Sequence, residues 1–377
     1  MSSSALPTAT ACIAQACELA DRFRGRLADE VAAGTVSFPH ENIADLKAAG
    51  FLLLAVPAES GGLGQSLETY CAVIEELASG SPATALLLTM PAGFDAIYLY
   101  PADDVPDVHR ANYQEQRAWV FEESRAGRVF AAGNSEPGIV VIQESQTQAE
   151  RRDGVWRLTG RKVFGSWGTN SDWLFSTARL PDGLLPDASQ VEFFYLPTAG
   201  EGVHWNDDWN SFGMSETASN SFELRDAPAM GLVGFPGFAT APIPDFWWRL
   251  SFTAVALGCV RGLLMPLLER ASALGPGARS ELASLTARYE ASRAYLLDTA
   301  RHGGTATTPA YSARTLRVKT HVTQECVTLA ATLFSLGSGS ALAANSLAAK
   351  YLRDVFAGTG LRLPYKASLD KWADDLL

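Results

Sequence analysis

Residues 155–174 read VWRLTGRKVFGSWGTNSDWL, two β-prone runs on either side of a turn built from Gly, Ser, Thr and Asn. DWLFSTARL (172–180) and VEFFYLP (191–197) continue this texture, each bounded by Gly, Pro, Asp or Asn. The regular turn spacing from 128 to 233 predicts a small antiparallel β-domain. Upstream the pattern is helical. PHENIADLKAA (39–49) sets Ile43 and Leu46 on one face, with Pro39 at the start and Gly50 behind the last turn. Leu67, Tyr70, Val73, Ile74 and Leu77 repeat at helical spacing, and AVPAESGGLGQ (55–65) between the two is a turn-rich loop. Downstream, residues 246–273, 280–301, 311–336 and 341–355 are long enough for helices packed in a bundle, with Pro- and Gly-rich junctions at 234–244, 275–277 and 303–309. The predicted fold class is α+β, mostly α. An N-terminal helical domain (1–126) precedes a middle antiparallel β-domain (127–235) and a C-terminal four-helix bundle (236–377).

With 377 residues, 47% of them hydrophobic and 19% charged, the chain can bury roughly 75% of its unfolded surface. A net charge of −11, with no Lys/Arg run longer than Arg151-Arg152, argues against a nucleic-acid partner. Cys12, Cys17, Cys71, Cys259 and Cys326 are odd in number and scattered, without a CxxC pair, so neither a disulfide framework nor a metal site is indicated. MSSSALPTATACIAQACELADRF (1–23) lacks the basic-then-apolar order of a secretory signal. Arg261 interrupts the apolar run from Leu250 to Leu268, which therefore does not read as a membrane span. The expectation is a soluble, cytoplasmic protein with no nucleic-acid or membrane partner.

Five stretches, in this order, resemble the acyl-CoA dehydrogenase superfamily over about residues 36–372. FPHENIADLKAAGFLLLAVPAESGGLG (38–64) is similar to its N-terminal helix and Gly-rich loop, and AAGNSEPG (131–138) to the Thr-Glu-Pro segment entering its β-domain. VWRLTGRKVFGSWGTNSDWL resembles the hairpin that lies along the flavin. WNSFGMSETASNSFELRDAP (209–228) resembles the Gly-Met strand pair, and LGSGSALAANSLAAKYLRD (336–354) the last helix pair with its Gly-rich turn and Arg-Asp ending. The resemblance implies a flavin, FAD before FMN, and a homo-oligomer (dimer or tetramer) that shares its cofactor site between chains.

A flavin asks for a flat apolar wall, hydrogen bonds to its polar ring edge, and a site for its pyrophosphate. Strand alternation sets Phe164 and Ser166 on one face, so the ring of Phe164 can lie against the isoalloxazine while the Ser166 hydroxyl bonds near the reactive nitrogen. From spacing alone, Phe164 reads first as a core aromatic and Ser166 as a turn residue; the resemblance favours the flavin instead. It also brings Asn134 and Ser135 to the pyrimidine side. Gly337 and Gly339 match the Gly-rich turn for the pyrophosphate, with Ser338 where the family often has a second adjacent glycine. ERASALGPGARSELASL (269–285) stands where the family has an Arg-containing loop but lacks its core, so Arg270 and Arg279 read as either phosphate ligands or solvated helix charges. Seven of the nine tryptophans lie between 156 and 248, which suits a wall around a flat ligand or half-buried β-packing.

Desaturating an acyl thioester needs a carboxylate within reach of the α-proton while hydride leaves for the flavin. One branch of the family carries a Glu some nine residues after Arg-Asp, where FAGTGLRLPY (356–365) has no acid and Arg362 stands. The other carries it at the start of the first bundle helix, where IPDFWWRL (243–250) offers Trp248, with Asp245 about one turn away. Asp245 is the candidate base; following Pro244, it also reads as a helix N-cap. The small-residue run that follows Glu-Pro in CoA-binding relatives is replaced by IVVIQESQTQAE (139–150). His321, four residues before Glu325, reads as that residue's surface partner. Three functions compete. The first is a dehydrogenase of an acyl thioester (acyl-CoA) or a related small molecule; the second is a reduced-flavin monooxygenase or oxidase; the third is a non-catalytic flavin-binding or interaction protein.

Overall fold

The computed structural model describes residues 6–185, 190–337, 339–361 and 363–374. Ser338 and Arg362 lie outside them. Helices α1 (Ala9–Ala33), α2 (His40–Ala48), α3 (Leu67–Gly80), α4 (Pro82–Ile97) and α5 (Asp107–Arg125) come first. Strands β1 (Phe130–Ala132), β2 (Gln148–Arg152), β3 (Val155–Gly165), β4 (Trp173–Arg179), β5 (Val191–Pro197), β6 (Val203–Trp205), β7 (Asn220–Ala229) and β8 (Gly231–Leu232) follow. Helices α6 (Phe246–Glu269), α7 (Pro276–Arg301), α8 (Pro309–Ser335), α9 (Leu347–Val355), α10 (Ala357–Gly360) and α11 (Tyr365–Asp374) complete the described chain.

Local chemistry sets these boundaries. Ser66 Oγ accepts from Thr69 N at 3.1 Å to start α3, and Ser81 caps α4 with Pro82 at its first position. Ser346 does the same for α9 through Ala349 N. The last bundle helix thus begins at Leu347 rather than 341, because residues 339–342 form a separate 3₁₀ turn ahead of that cap.

The sheet runs β6-β7-β3-β2-β4-β5-β8, with β1 beside β4. Most pairs are antiparallel, as expected, but β1 and β2 both meet β4 in parallel. The segment after β1 crosses to the next strand through a long connection instead of a hairpin, and only hairpins force antiparallel pairing. Every residue of α3 except Glu68 is buried, and α6 crosses it closely: a Cβ on Gly258 would stand 2.5 Å from Glu75 O. Helix α6 is long and apolar enough to cross a membrane by composition, yet 83% of that stretch is buried inside the bundle. It is a core helix.

One proline ties the layers together. Pro91, inside α4, has no N–H to give the carbonyl of Leu87. Trp167 Nε1 takes that oxygen at 2.8 Å, and its indole is buried where the β3–β4 turn meets α4.

Candidate functional site

The segment Gly133-Asn134-Ser135-Glu136 is fixed from both sides. Ser176 Oγ donates to Gly133 O at 2.6 Å, and Val163 N donates to Ser135 O at 2.9 Å. Beneath it lies a buried ion pair. Lys162 Nζ, 0% exposed, donates to Glu136 Oε1 at 2.6 Å and to Thr177 O at 2.6 Å. Glu136 also accepts from Ser145 Oγ, Gln146 N and Thr147 Oγ1 at 2.5, 2.7 and 2.8 Å. Burial alone would push this carboxyl up, but the Lys162 charge and these donors outweigh it and hold it at about 2. Asn134 Oδ1, in the same segment, is buried without a partner. An unpaired buried acceptor costs roughly 1–3 kcal/mol.

The strand expectation for Phe164 and Ser166 does not hold. Phe164 has a φ of 58°, and the β3–β7 register shifts between Lys162 and Gly165, so the alternation breaks before Ser166 is reached. The consequence is an open aromatic face. Phe164 is 62% exposed, with Trp209 edge-on at 6.2 Å, so it is not a core aromatic. Ser166 Oγ turns instead toward Ser219 Oγ at 2.9 Å. Ser219 Oγ lies 2.7 Å from Thr217 Oγ1, which donates to Met214 O at 2.8 Å. Trp167, Met214 and Ala218 also carry positive φ (78°, 56° and 46°). Such backbone costs of order 1–3 kcal/mol per residue and gathers at functional sites.

A second buried cluster ties the β-domain to α9. Lys350 Nζ donates to Glu216 at 2.9 Å and to both Asp354 oxygens at 2.6 and 2.5 Å, while Asp354 Oδ1 accepts Met214 N at 2.7 Å. The Arg-Asp ending therefore hooks the β-domain turn onto α9. A Cβ on Gly213 would stand 2.4 Å from Arg353 O, so only glycine allows this approach. Phe212 and Phe356, both exposed, meet edge-to-face at 5.9 Å across the junction.

The other expected positions fall elsewhere. Asp245 stands at the N-cap position of α6, but its backbone is already helical and its carboxylate makes no cap bond. Arg249, one turn on, takes Oδ2 at 2.5 Å. Trp248 covers Gly93 and stacks on Phe175 at 5.5 Å, its Nε1 buried without a partner. His321 does not pair with Glu325, whose carboxylate is held by Arg288 at 2.7 Å. Two surface grooves of about 270 and 140 Å³ border His321 on the bundle and share no residue with the site above. Gly337 and Gly339 close the turn after α8, with open space around Gly339, while Arg270 and Arg279 are exposed.

Sequence reasoning missed Lys162, Glu136, Thr217, Ser219 and the Glu216–Lys350–Asp354 cluster. Two of these left a trace. Lys162 shares its strand face with buried Leu158, and a charge on an inward face asks for a partner. Lys350 and Asp354 stand at i,i+4 on one helix.

Comparison with known proteins adds the following. The family described as acyl-CoA dehydrogenase, N-terminal domain, matches residues 8–104, and acyl-CoA dehydrogenase, C-terminal domain, matches 251–362, together more than half the chain. A dibenzothiophene monooxygenase of Rhodococcus qingshengii is 27% identical over 267 residues, 67% of this chain and 60% of the relative. The mitochondrial short-chain specific acyl-CoA dehydrogenase of Homo sapiens is 25% identical over 233 residues, 60% of this chain and 54% of the relative. The chain thus spans 60% or less of the length of these two relatives. FMN-bound TdsC from Paenibacillus sp. A11-2 shares the fold at a TM-score of 0.82 and 21% identity, over 97% of each chain.

Proposed function

Because the chain belongs to the acyl-CoA dehydrogenase superfamily, we propose that it is a flavin-dependent oxidoreductase acting as a monooxygenase on reduced flavin and oxygen. One observation carries the choice of reaction. At the two places where a dehydrogenase of this fold is expected to hold its base, the chain has Trp248 and the acid-free window 356–365, and the nearest carboxylate, Asp245, is engaged by Arg249. Oxygenation by reduced flavin needs no α-proton base. The monooxygenase relative supports the same reading.

The residues present suit a flavin. Phe164 offers an open ring face for stacking. Asn134 Oδ1 awaits a donor such as the N–H of the pyrimidine edge, with Ser135 beside it. Ser166, at the β3–β4 turn, would meet the reactive nitrogen. Bound flavin would supply the two-electron chemistry, with Phe164, Asn134 and Ser135 positioning the ring. FAD is the proposed form, with Gly337 and Gly339 of a second copy at its pyrophosphate in a homodimer or tetramer. FMN, which TdsC carries, is the alternative that exposed Arg270 and Arg279 leave open. The three units 1–126, 127–235 and 236–377 would then frame the cleft between them.

A second reading, dehydrogenation of an acyl thioester with Asp245 as base, is favoured by the Ser-Glu-Pro segment and the human relative. Two measurements separate the readings. Oxidised holoprotein is titrated anaerobically with a panel of acyl-CoA thioesters, and oxygen uptake by the reduced holoprotein is followed with dibenzothiophene as the first probe. No bleaching in the first and stimulated uptake in the second are expected. Bleaching that disappears in Asp245→Asn would establish the dehydrogenase. A protein that retains no flavin would sink both.

A further inference from the structure

The hydroxyl chain behind Ser166 has a fixed direction. Thr217 Oγ1 stands 2.8 Å from Met214 O, and two oxygens approach that closely only with a proton between them. A carbonyl has none, so Thr217 gives its single proton. Thr217 can then only accept from Ser219 at 2.7 Å, which spends the proton of Ser219. Ser219 in turn can only accept from Ser166 at 2.9 Å. The Ser166 proton therefore points inward, and its half-buried Oγ offers only lone pairs to a group outside this chain of hydroxyls. Thr217 is fully buried and Ser219 is 5% exposed, so water does not scramble this order. Turning the Ser166 proton outward would forfeit the bond to Ser219.

We propose that the Ser166–Ser219–Thr217 chain makes this protein select the reduced state of its flavin. This rests on the reading that the reactive ring nitrogen, N5, faces Ser166. In oxidised flavin that nitrogen carries only a lone pair and repels an acceptor. Two-electron reduction with protonation converts it to an N–H, which donates to one. The direction of the chain thus opposes the oxidised ring and welcomes the reduced ring. Tighter binding of the reduced form also raises the midpoint potential of the bound couple, because the two are linked thermodynamically. Ser166 is the contacting group; Ser219 and Thr217 are positioning residues that act through it.

The test is equilibrium binding of oxidised and of dithionite-reduced FAD and FMN to the full-length protein under nitrogen, with the midpoint potential measured in parallel. Wild type is expected to favour reduced flavin by roughly tenfold or more, the worth of one hydrogen bond gained against one repelled. Ser219→Ala frees the Ser166 hydroxyl to donate, and Thr217→Val frees Ser219 to donate to Ser166; in both, the preference should shrink toward unity and the potential should fall. Thr217→Ser keeps the terminal donor and should keep the preference. Equal wild-type affinities, or a preference untouched by Ser219→Ala, would overturn the inference while leaving flavin binding intact. Absence of binding in both redox states would instead remove the flavin reading on which it stands.

Discussion

Two segments of the proposed flavin site, 133–136 and 213–219, are held by buried charge in opposite ways. Under Asn134 and Ser135, one ammonium meets one carboxylate: Lys162 and Glu136 are balanced, and every donor around them favours the ionised form. Under Met214, one ammonium serves two carboxylates, so the Lys350–Glu216–Asp354 group carries one negative charge too many. Burial raises the Glu216 carboxyl; Lys350 opposes this and Asp354 reinforces it. Lys350 is itself pushed up, since the charges of Asp354 and Glu216 outweigh its desolvation. The balanced pair is an anchor that needs strong acid or a mutation to break. The unbalanced group is already strained at neutral pH.

The largest effect should come from breaking the balance. Lys162→Met leaves Glu136 buried without its counter-charge, and should cost about 3–5 kcal/mol in denaturant unfolding. Adding Glu136→Gln to it should restore much of the loss. A single variant within 1 kcal/mol of wild type would show that the pair anchors nothing.

Acid should distinguish the two segments next. The folded-state value of Glu136 lies at about 2, below the 4.5 of the free side chain, so its stabilisation is complete above pH 4.5 and is lost as pH falls toward 2. The integrated loss is about 3 kcal/mol. Glu216 runs the other way: its raised value costs stability at neutral pH, and the cost is relieved as pH falls through it. Glu216→Gln should therefore flatten a rise in stability on mild acidification, and Glu136→Gln the subsequent fall, both read from unfolding free energy against pH. Curves of identical shape for the two variants would contradict the comparison.

Smaller effects test the seams. Trp167→Phe keeps most of the buried ring but orphans Leu87 O, and should cost about 1–3 kcal/mol. Asp245→Asn breaks only a half-exposed pair with Arg249 and should change stability by less than about 1 kcal/mol, which leaves it a clean probe of the dehydrogenase reading.

The order of helices, sheet and bundle was legible because it rests on local periodicity and turn chemistry, as in 39–49 and 172–180. The neighbouring stretches GNSEPG and KVFGSWG were legible too, and Ser135 does bridge to Val163. What was hidden depends on backbone shape and long-range pairing. Nothing in a β-prone run announces that Phe164 takes a left-handed φ. Glu136 and Lys162 are 26 residues apart, and Glu216 and Lys350 are 134 apart. Asp245 after Pro244 looked like a cap because capping residues favour such places. An arginine one turn on claimed its carboxylate instead, a competition that spacing alone does not decide.

Pro91 gives its helix a defect that the rest of the molecule uses. Replacing it with alanine would return a backbone donor to Leu87 and strengthen α4 considered alone, yet the indole of Trp167, 80 residues downstream, would then compete for an oxygen already taken. A repaired helix would compete with its own latch, and the β3–β4 turn, which holds Ser166, would exchange its amide protons faster although α4 had become stiffer.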